Sequence, residues 1–214
     1  PGMDALIFDL DGTLVESLPG IAASLNRALA LHGLPGHSHA AVRGFIGDGA
    51  KTLVTRALTG LSRLDLVDSV LASFAADYAI SWPSGTAVYP GILELLEKLG
   101  SRGIRLAVLS NKPHPFTVEI VEKLFPENTF SAILGNREGL AHKPDPTGAL
   151  EIACALGLAA ENCILIGDST MDLDTANNAG MESIAVTWGY HDRARLAYAD
   201  RIAGSIPELA KILG

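Results

Sequence analysis

The 214-residue chain predicts an α/β fold, a doubly wound parallel sheet interrupted by an all-helical insert. Three observations carry this expectation. Short continuous apolar runs recur along the chain, as strands buried on both faces require. Helical periods lie between them, and strand–helix alternation is the mark of parallel crossovers. The alternation fails over one stretch, residues 17–83, where only helical periods are found.

The first strand is Ala5-Leu6-Ile7-Phe8, which ends in Asp9. Later runs at residues 104–109, 131–134, 163–166 and 183–186 supply four more strands, with a weaker one at 201–203. Helical spacing places Ile92, Leu95, Leu96 and Leu99 on one face. It does the same for Phe116, Ile120, Val121 and Leu124, and for Leu150, Ala153, Cys154 and Leu158. Residues 173–179 and 209–213 complete the helices of the sheet region. Within the insert, Ile21, Leu25, Ala28 and Leu29 form one stripe. Leu53, Val54, Ala57 and Leu58 form another, and Val67, Val70, Leu71, Phe74 and Tyr78 a third. Breaks at Gly33-Leu34-Pro35-Gly36, Gly47-Asp48-Gly49 and Gly60 make this a bundle of about four helices. The expected organisation is a core of residues 1–16 and 84–214 around a helical cap of residues 17–83.

Composition excludes several classes. With 48% hydrophobic residues the chain can bury a core, and disorder is excluded. No apolar run approaches the ~20 residues needed to cross a bilayer. No basic segment followed by an apolar stretch opens the chain, so no secretory signal is expected. A net charge of −8 without a Lys/Arg cluster argues against nucleic-acid and membrane-surface partners. Cys154 and Cys163 match no zinc spacing and read as two buried thiols in a reducing cytoplasm, the expected location. An acidic protein that binds an anion needs a local cation, and this directs attention to a metal and a lysine.

The densest chemical signal is Phe8-Asp9-Leu10-Asp11-Gly12-Thr13. Two carboxylates stand just past the C-terminal end of a buried strand, the edge where ligands gather in open α/β sheets. A second cluster, Gly167-Asp168-Ser169-Thr170-Met171-Asp172-Leu173-Asp174, follows another strand. Capping of the following helix accounts for Asp174 and competes for Asp172, but explains Asp168 poorly. If the two strands are neighbours, Asp9 and Asp168 converge on an oxygen-rich point that suits Mg²⁺. Ser110, in Ser110-Asn111-Lys112-Pro113, brings a hydroxyl to the same edge, unless it caps the helix that begins near Pro113. Lys143 brings an ammonium, in a loop stiffened by Pro144 and Pro146.

This ordered set (Asp9-x-Asp11-Gly12-Thr13, Ser110, Lys143 and Gly167-Asp168-x₃-Asp172) resembles the haloacid dehalogenase superfamily of phosphohydrolases over essentially the whole chain. Within it the chain is similar to the phosphoglycolate phosphatase group. Ile46-Gly47-Asp48-Gly49-Ala50, Tyr89-Pro90-Gly91, His142-Lys143-Pro144-Asp145-Pro146 and Thr187-Trp188-Gly189-Tyr190 carry that likeness. Glu16, Asp48 and Trp188 depart from the group's usual Asp, Asn and Tyr.

The resemblance implies a Rossmann-like core under a helical cap and hydrolysis of a small phosphorylated metabolite by a monomer or homodimer. Asp9 would be the nucleophile that forms an aspartyl-phosphate, and Asp11 the general acid and base. Mg²⁺ would be held by Asp9, the Asp11 carbonyl and Asp168, with Asp172 orienting Asp168 or a metal water. Ser110 and Lys143 would bind phosphoryl oxygens. Gly12, Thr13, Asn111, Gly47 and Lys51 are candidate substrate contacts, the last two from the cap. His142 and His191 lie near the same edge, whereas His37 and His39 read as surface residues. A hexose-phosphate mutase or a pyrophosphatase would share the catalytic set, and a non-catalytic binding module is the rival from another class. No Gly-x-Gly-x-x-Gly follows a strand, which argues against a dinucleotide binder.

Overall fold

The computed structural model describes residues 3–214, so the first two residues of the expected core segment lie outside it. Strand β1, Ala5–Phe8, is buried throughout. It lies between β4, Arg105–Pro113, and β6, Cys163–Gly167, with Phe8 opposite both Val108 and Ile166. Strands β5 (Ala132–Asn136), β7 (Glu182–Val186) and β8 (Arg201–Ala203) extend the sheet in the order β5-β4-β1-β6-β7-β8. Every pairing in it is parallel, so all six strands end at one edge.

Alternation along β1 sends Leu6 and Phe8 to one face and Ala5 and Ile7 to the other. The first face packs α5 (Ile92–Ser101), α6 (His114–Leu124) and α9 (Ile206–Leu213). The second packs α7 (Thr147–Ala155) and α8 (Thr170–Ala179).

The insert holds α1 (Leu18–Leu31), α2 (His39–Arg43), α3 (Ala50–Thr59) and α4 (Val67–Ser81). Its expected stripes are buried, apart from Val67 and Leu71, which are half-buried. Two short strands, β2 (Val15–Glu16) and β3 (Ala87–Val88), pair antiparallel where the chain enters and leaves the insert. Among the described residues no helix is long and apolar enough to cross a membrane.

Four expectations need correction. Helix α7 buries Gly148, Ala149, Ile152 and Ala153, while Leu150 and Cys154 are exposed and Leu158 lies beyond the helix. A Cβ at Gly148 would stand 2.9 Å from Leu109 Cδ1, so the helix approaches the sheet along its small residues. Only Cys163 is therefore a buried thiol. Ser110 does not cap a helix: β4 runs on to Pro113, and Pro113 occupies the capping position of α6. His37 is half-buried, with Nε2 2.8 Å from the Ala57 carbonyl and its ring edge-on to Phe45, whereas His39 is exposed.

Candidate active site

Asp9 follows β1, and its backbone N–H donates to the Ile166 carbonyl at 2.9 Å. Asp168 follows the neighbouring β6. The Tyr190 N–H donates to its Oδ2 at 2.8 Å and the Thr13 hydroxyl to its Oδ1 at 3.2 Å. Asp172 is the third residue of α8 and forms a reciprocal cap with Ser169, accepting from Ser169 N–H at 3.1 Å and Oγ at 3.0 Å. Its other oxygen accepts from Lys143 Nζ at 2.6 Å. Helix capping and membership of the carboxylate cluster are thus combined in one side chain. Asp174 stands apart, bonded by the Tyr198 hydroxyl.

Lys143 crosses the cluster. Its Nζ donates to Asp9 Oδ1 at 3.0 Å, to the Leu109 carbonyl at 3.0 Å and to Asp172, which uses all three ammonium hydrogens. Burial alone would lower its pKa, but Asp172 and Asp9 outweigh that and hold it above the ordinary lysine value.

The carboxylates are crowded. Burial, then repulsion from Asp172, pushes Asp9 well above the usual carboxylate range against the pull of Lys143. The same two causes raise Asp168 to about 6. Asp9, Asp168 and Asp172 each bring one oxygen within 4.8 Å of the others. An all-oxygen set with this excess of negative charge fits a hard divalent cation such as Mg²⁺ and offers nothing to a soft metal. Asp172 has three donors on its two oxygens, Asp168 one on each and Asp9 one on Oδ1, so Asp9 and Asp168 are the freer ligands.

Asp11 points away from that cluster. Its Oδ1 accepts from Ser17 Oγ at 2.6 Å and lies 3.0 Å from Lys112 Nζ. Lys112, buried at the end of β4, also donates to the Tyr78 hydroxyl of α4 at 2.6 Å. Sequence reasoning missed Lys112 as a separate site residue. The signal was present, since Lys112-Pro113 repeats the Lys143-Pro144 pattern of a lysine fixed by proline at the same sheet edge. Tyr190 was also missed. Its hydroxyl accepts from the N–H groups of Ser17 and Leu18 and donates to Glu16 Oε1.

A cavity lies between this edge and the insert. Asp9, Asp11, Ser110, Lys112 and Asp168 form its floor, and Ile21, Ile46, Leu53, Phe74 and Tyr78 its roof. Asn111 and Gly47 line it too, joined by a 2.9 Å bond from Asn111 Nδ2 to the Gly47 carbonyl. The Asn111 carboxamide also accepts from Lys143 N–H at 2.7 Å, so it bridges insert and lysine loop. Gly12 and Thr13 do not line the cavity; they pack under Asp168. Gly12 has φ +82°, and a Cβ there would collide with Asp168 Oδ2. Lys51 is exposed and away from the lining, and Asp48 is paired with Arg56 at 2.5 Å. His191 lines the cavity, while His142 packs against Gly49.

The family model for haloacid dehalogenase-like hydrolases matches residues 6–186. The chain belongs to this family. Among haloacid dehalogenase-like hydrolases it is similar to the phosphoglycolate phosphatase of Rhodospirillum rubrum, 40% identical over 87% of this chain and 80% of that protein. The phosphoglycolate phosphatase of Yersinia pestis is 36% identical over 94% of this chain and 85% of its own length. A solved structure from Lactobacillus delbrueckii subsp. bulgaricus is 32% identical, with a TM-score of 0.93 over 100% of this chain and 99% of that one.

Proposed function

We propose that this chain is a Mg²⁺-dependent phosphatase that hydrolyses a small phosphomonoester through Asp9, with a phosphoglycolate-like substrate favoured. One observation carries the reading: Asp9 stands beside Asp168 and Lys143 at the floor of a cavity roofed by the helical insert. Residues 17–83 act as the cap of a core made of residues 1–16 and 84–214.

Asp9 attacks phosphorus, forming a bond from its carboxylate oxygen as the ester P–O bond breaks. Asp11 donates a proton to the departing alkoxide. The resulting aspartyl-phosphate is hydrolysed by water, from which Asp11 takes a proton. Ser110 and Lys143 bind the equatorial phosphoryl oxygens, where charge concentrates. Asp9, the Asp11 carbonyl and Asp168 would hold Mg²⁺, which would supply positive charge to ease the meeting of two anions. Thr13 and Tyr190 keep Asp168 aimed, and Asp172 holds Lys143. The cap excludes water.

Release of inorganic phosphate from 2-phosphoglycolate, sugar phosphates, nucleotides and pyrophosphate, with and without Mg²⁺, tests the reading. Mg²⁺-dependent release from a small monoester is expected. Asp9→Asn should abolish it while leaving the circular dichroism spectrum unchanged. Normal turnover by that variant would remove the proposed nucleophile, and sugar isomerisation without phosphate release would favour a mutase.

A further inference from the structure

We infer that Lys112 is the anchor for a carboxylate on the leaving group, so that the site selects esters bearing a carboxylate one carbon from the ester oxygen. This rests on the phosphatase reading above and deepens it. An ammonium has three N–H donors. Those of Lys143 go to Asp9, the Leu109 carbonyl and Asp172, and the one on Asp9 is the one that turns to the phosphoryl group. Lys112 has two partners, the Tyr78 hydroxyl at 2.6 Å and Asp11 Oδ1 at 3.0 Å, and its third N–H has no acceptor among the described residues.

Position supplies the second argument. Asp11 is the proposed proton donor to the ester oxygen, and Lys112 Nζ lies 3.0 Å from its carboxylate. A group one carbon beyond the ester oxygen therefore falls within reach of Lys112. Charge supplies the third. Among the described residues Lys112 is the lysine or arginine that lines the cavity; Lys51 is exposed elsewhere, Arg56 is paired with Asp48, and Arg43 with Asp192. The remaining walls facing it include Ile21, Leu53, Phe74 and Phe116. Hydroxyls turned toward this apolar side would lack partners, which disfavours polyhydroxylated leaving groups that extend against it. A short carboxylated group needs one cation and little else.

The test compares two esters of nearly equal size, 2-phosphoglycolate and 2-hydroxyethyl phosphate, with Mg²⁺. A charge-assisted hydrogen bond gives the unaltered enzyme a preference in kcat/KM of roughly 30-fold or more for the carboxylated ester. In Lys112→Met that ratio should fall to within about threefold of unity, and Lys112→Arg should keep most of it. Both esters need Asp11, so a merely structural role for Lys112 would lower both rates and leave the ratio unchanged. Equal use of the two esters by the unaltered enzyme would overturn the assignment while leaving the phosphatase reading intact. Hydrolysis of neither would overturn both. An unchanged ratio in Lys112→Met would also overturn it.

Discussion

Asp168→Asn should make the metal-free protein more stable at neutral pH, although it removes a proposed metal ligand. Asp168 is 2% exposed and its pKa is raised to about 6, by burial first and Asp172 second, from an ordinary 3.8. The folded state therefore keeps the proton to higher pH than the unfolded state. Between those two values the folded chain binds more protons, so stability falls as pH rises. At 1.36 kcal/mol per unit the full loss is about 3 kcal/mol above pH ~6, of which about 2 kcal/mol falls between pH 4.5 and 7.5. Asparagine does not titrate. Its carbonyl can accept from Tyr190 N–H, and the Thr13 hydroxyl can turn to accept from its amide. Urea denaturation of both proteins in EDTA at pH 4.5, 5.5, 6.5 and 7.5 measures the difference. Carboxylates that do not interact with Asp168 cancel in the subtraction, and relief of Asp9, which Asp168 helps to hold up, adds in the same direction. The variant should gain about 2 kcal/mol on the wild type across that range, or about 4–8 °C in Tm for a chain of this size. Adding Mg²⁺ at pH 7.5 should stabilise the wild type selectively. A stability difference that is flat with pH would refute the crowded-carboxylate argument.

Lys143→Met should cost about 3–5 kcal/mol in urea denaturation with EDTA, because it leaves Asp9 and Asp172 facing each other without a counter-charge. Mg²⁺ should restore part of that, and a loss below about 1 kcal/mol would count against the central place given to this lysine. Thr13→Val keeps the shape but removes the hydroxyl on Asp168, so the Mg²⁺ concentration for half-maximal activity should rise about 10-fold. Gly12→Ala combines a left-handed backbone with a collision at Asp168 and should lower stability in thermal denaturation by at least about 1–2 kcal/mol.

Much of this arrangement is legible in the sequence, for a definable reason. Parallel strands covered on both faces are written as unbroken apolar runs, so Ala5–Phe8 can be read with its ends correct. Acids placed directly after such runs fall at the sheet's shared edge, which is why the meeting of Asp9 with Asp168 follows once β1 and β6 are neighbours. Elsewhere the pattern is silent. Strands β2 and β3 have two residues each, too few for a period. Helix α7 is apolar nearly all round, so its buried face is set by where a small residue lets the backbone approach Leu109. The place of Lys112 depends on partners at positions 11 and 78, a coincidence in space that linear spacing does not record. Lys51 follows the Gly47-Asp48-Gly49 turn closely, but it falls in the first turn of α3 and is exposed, and nearness to a turn does not dictate direction.

The ladder of β2 and β3 sets Glu16 opposite Ala87, so the outgoing and returning chains cross side by side. Two neighbouring doorways make the excursion between them independent of the architecture behind. A longer, shorter or foreign segment could be grafted at that threshold with the six-stranded platform left in register. Selectivity for the departing half of a molecule can then diverge while the machinery that grips phosphorus is inherited unchanged.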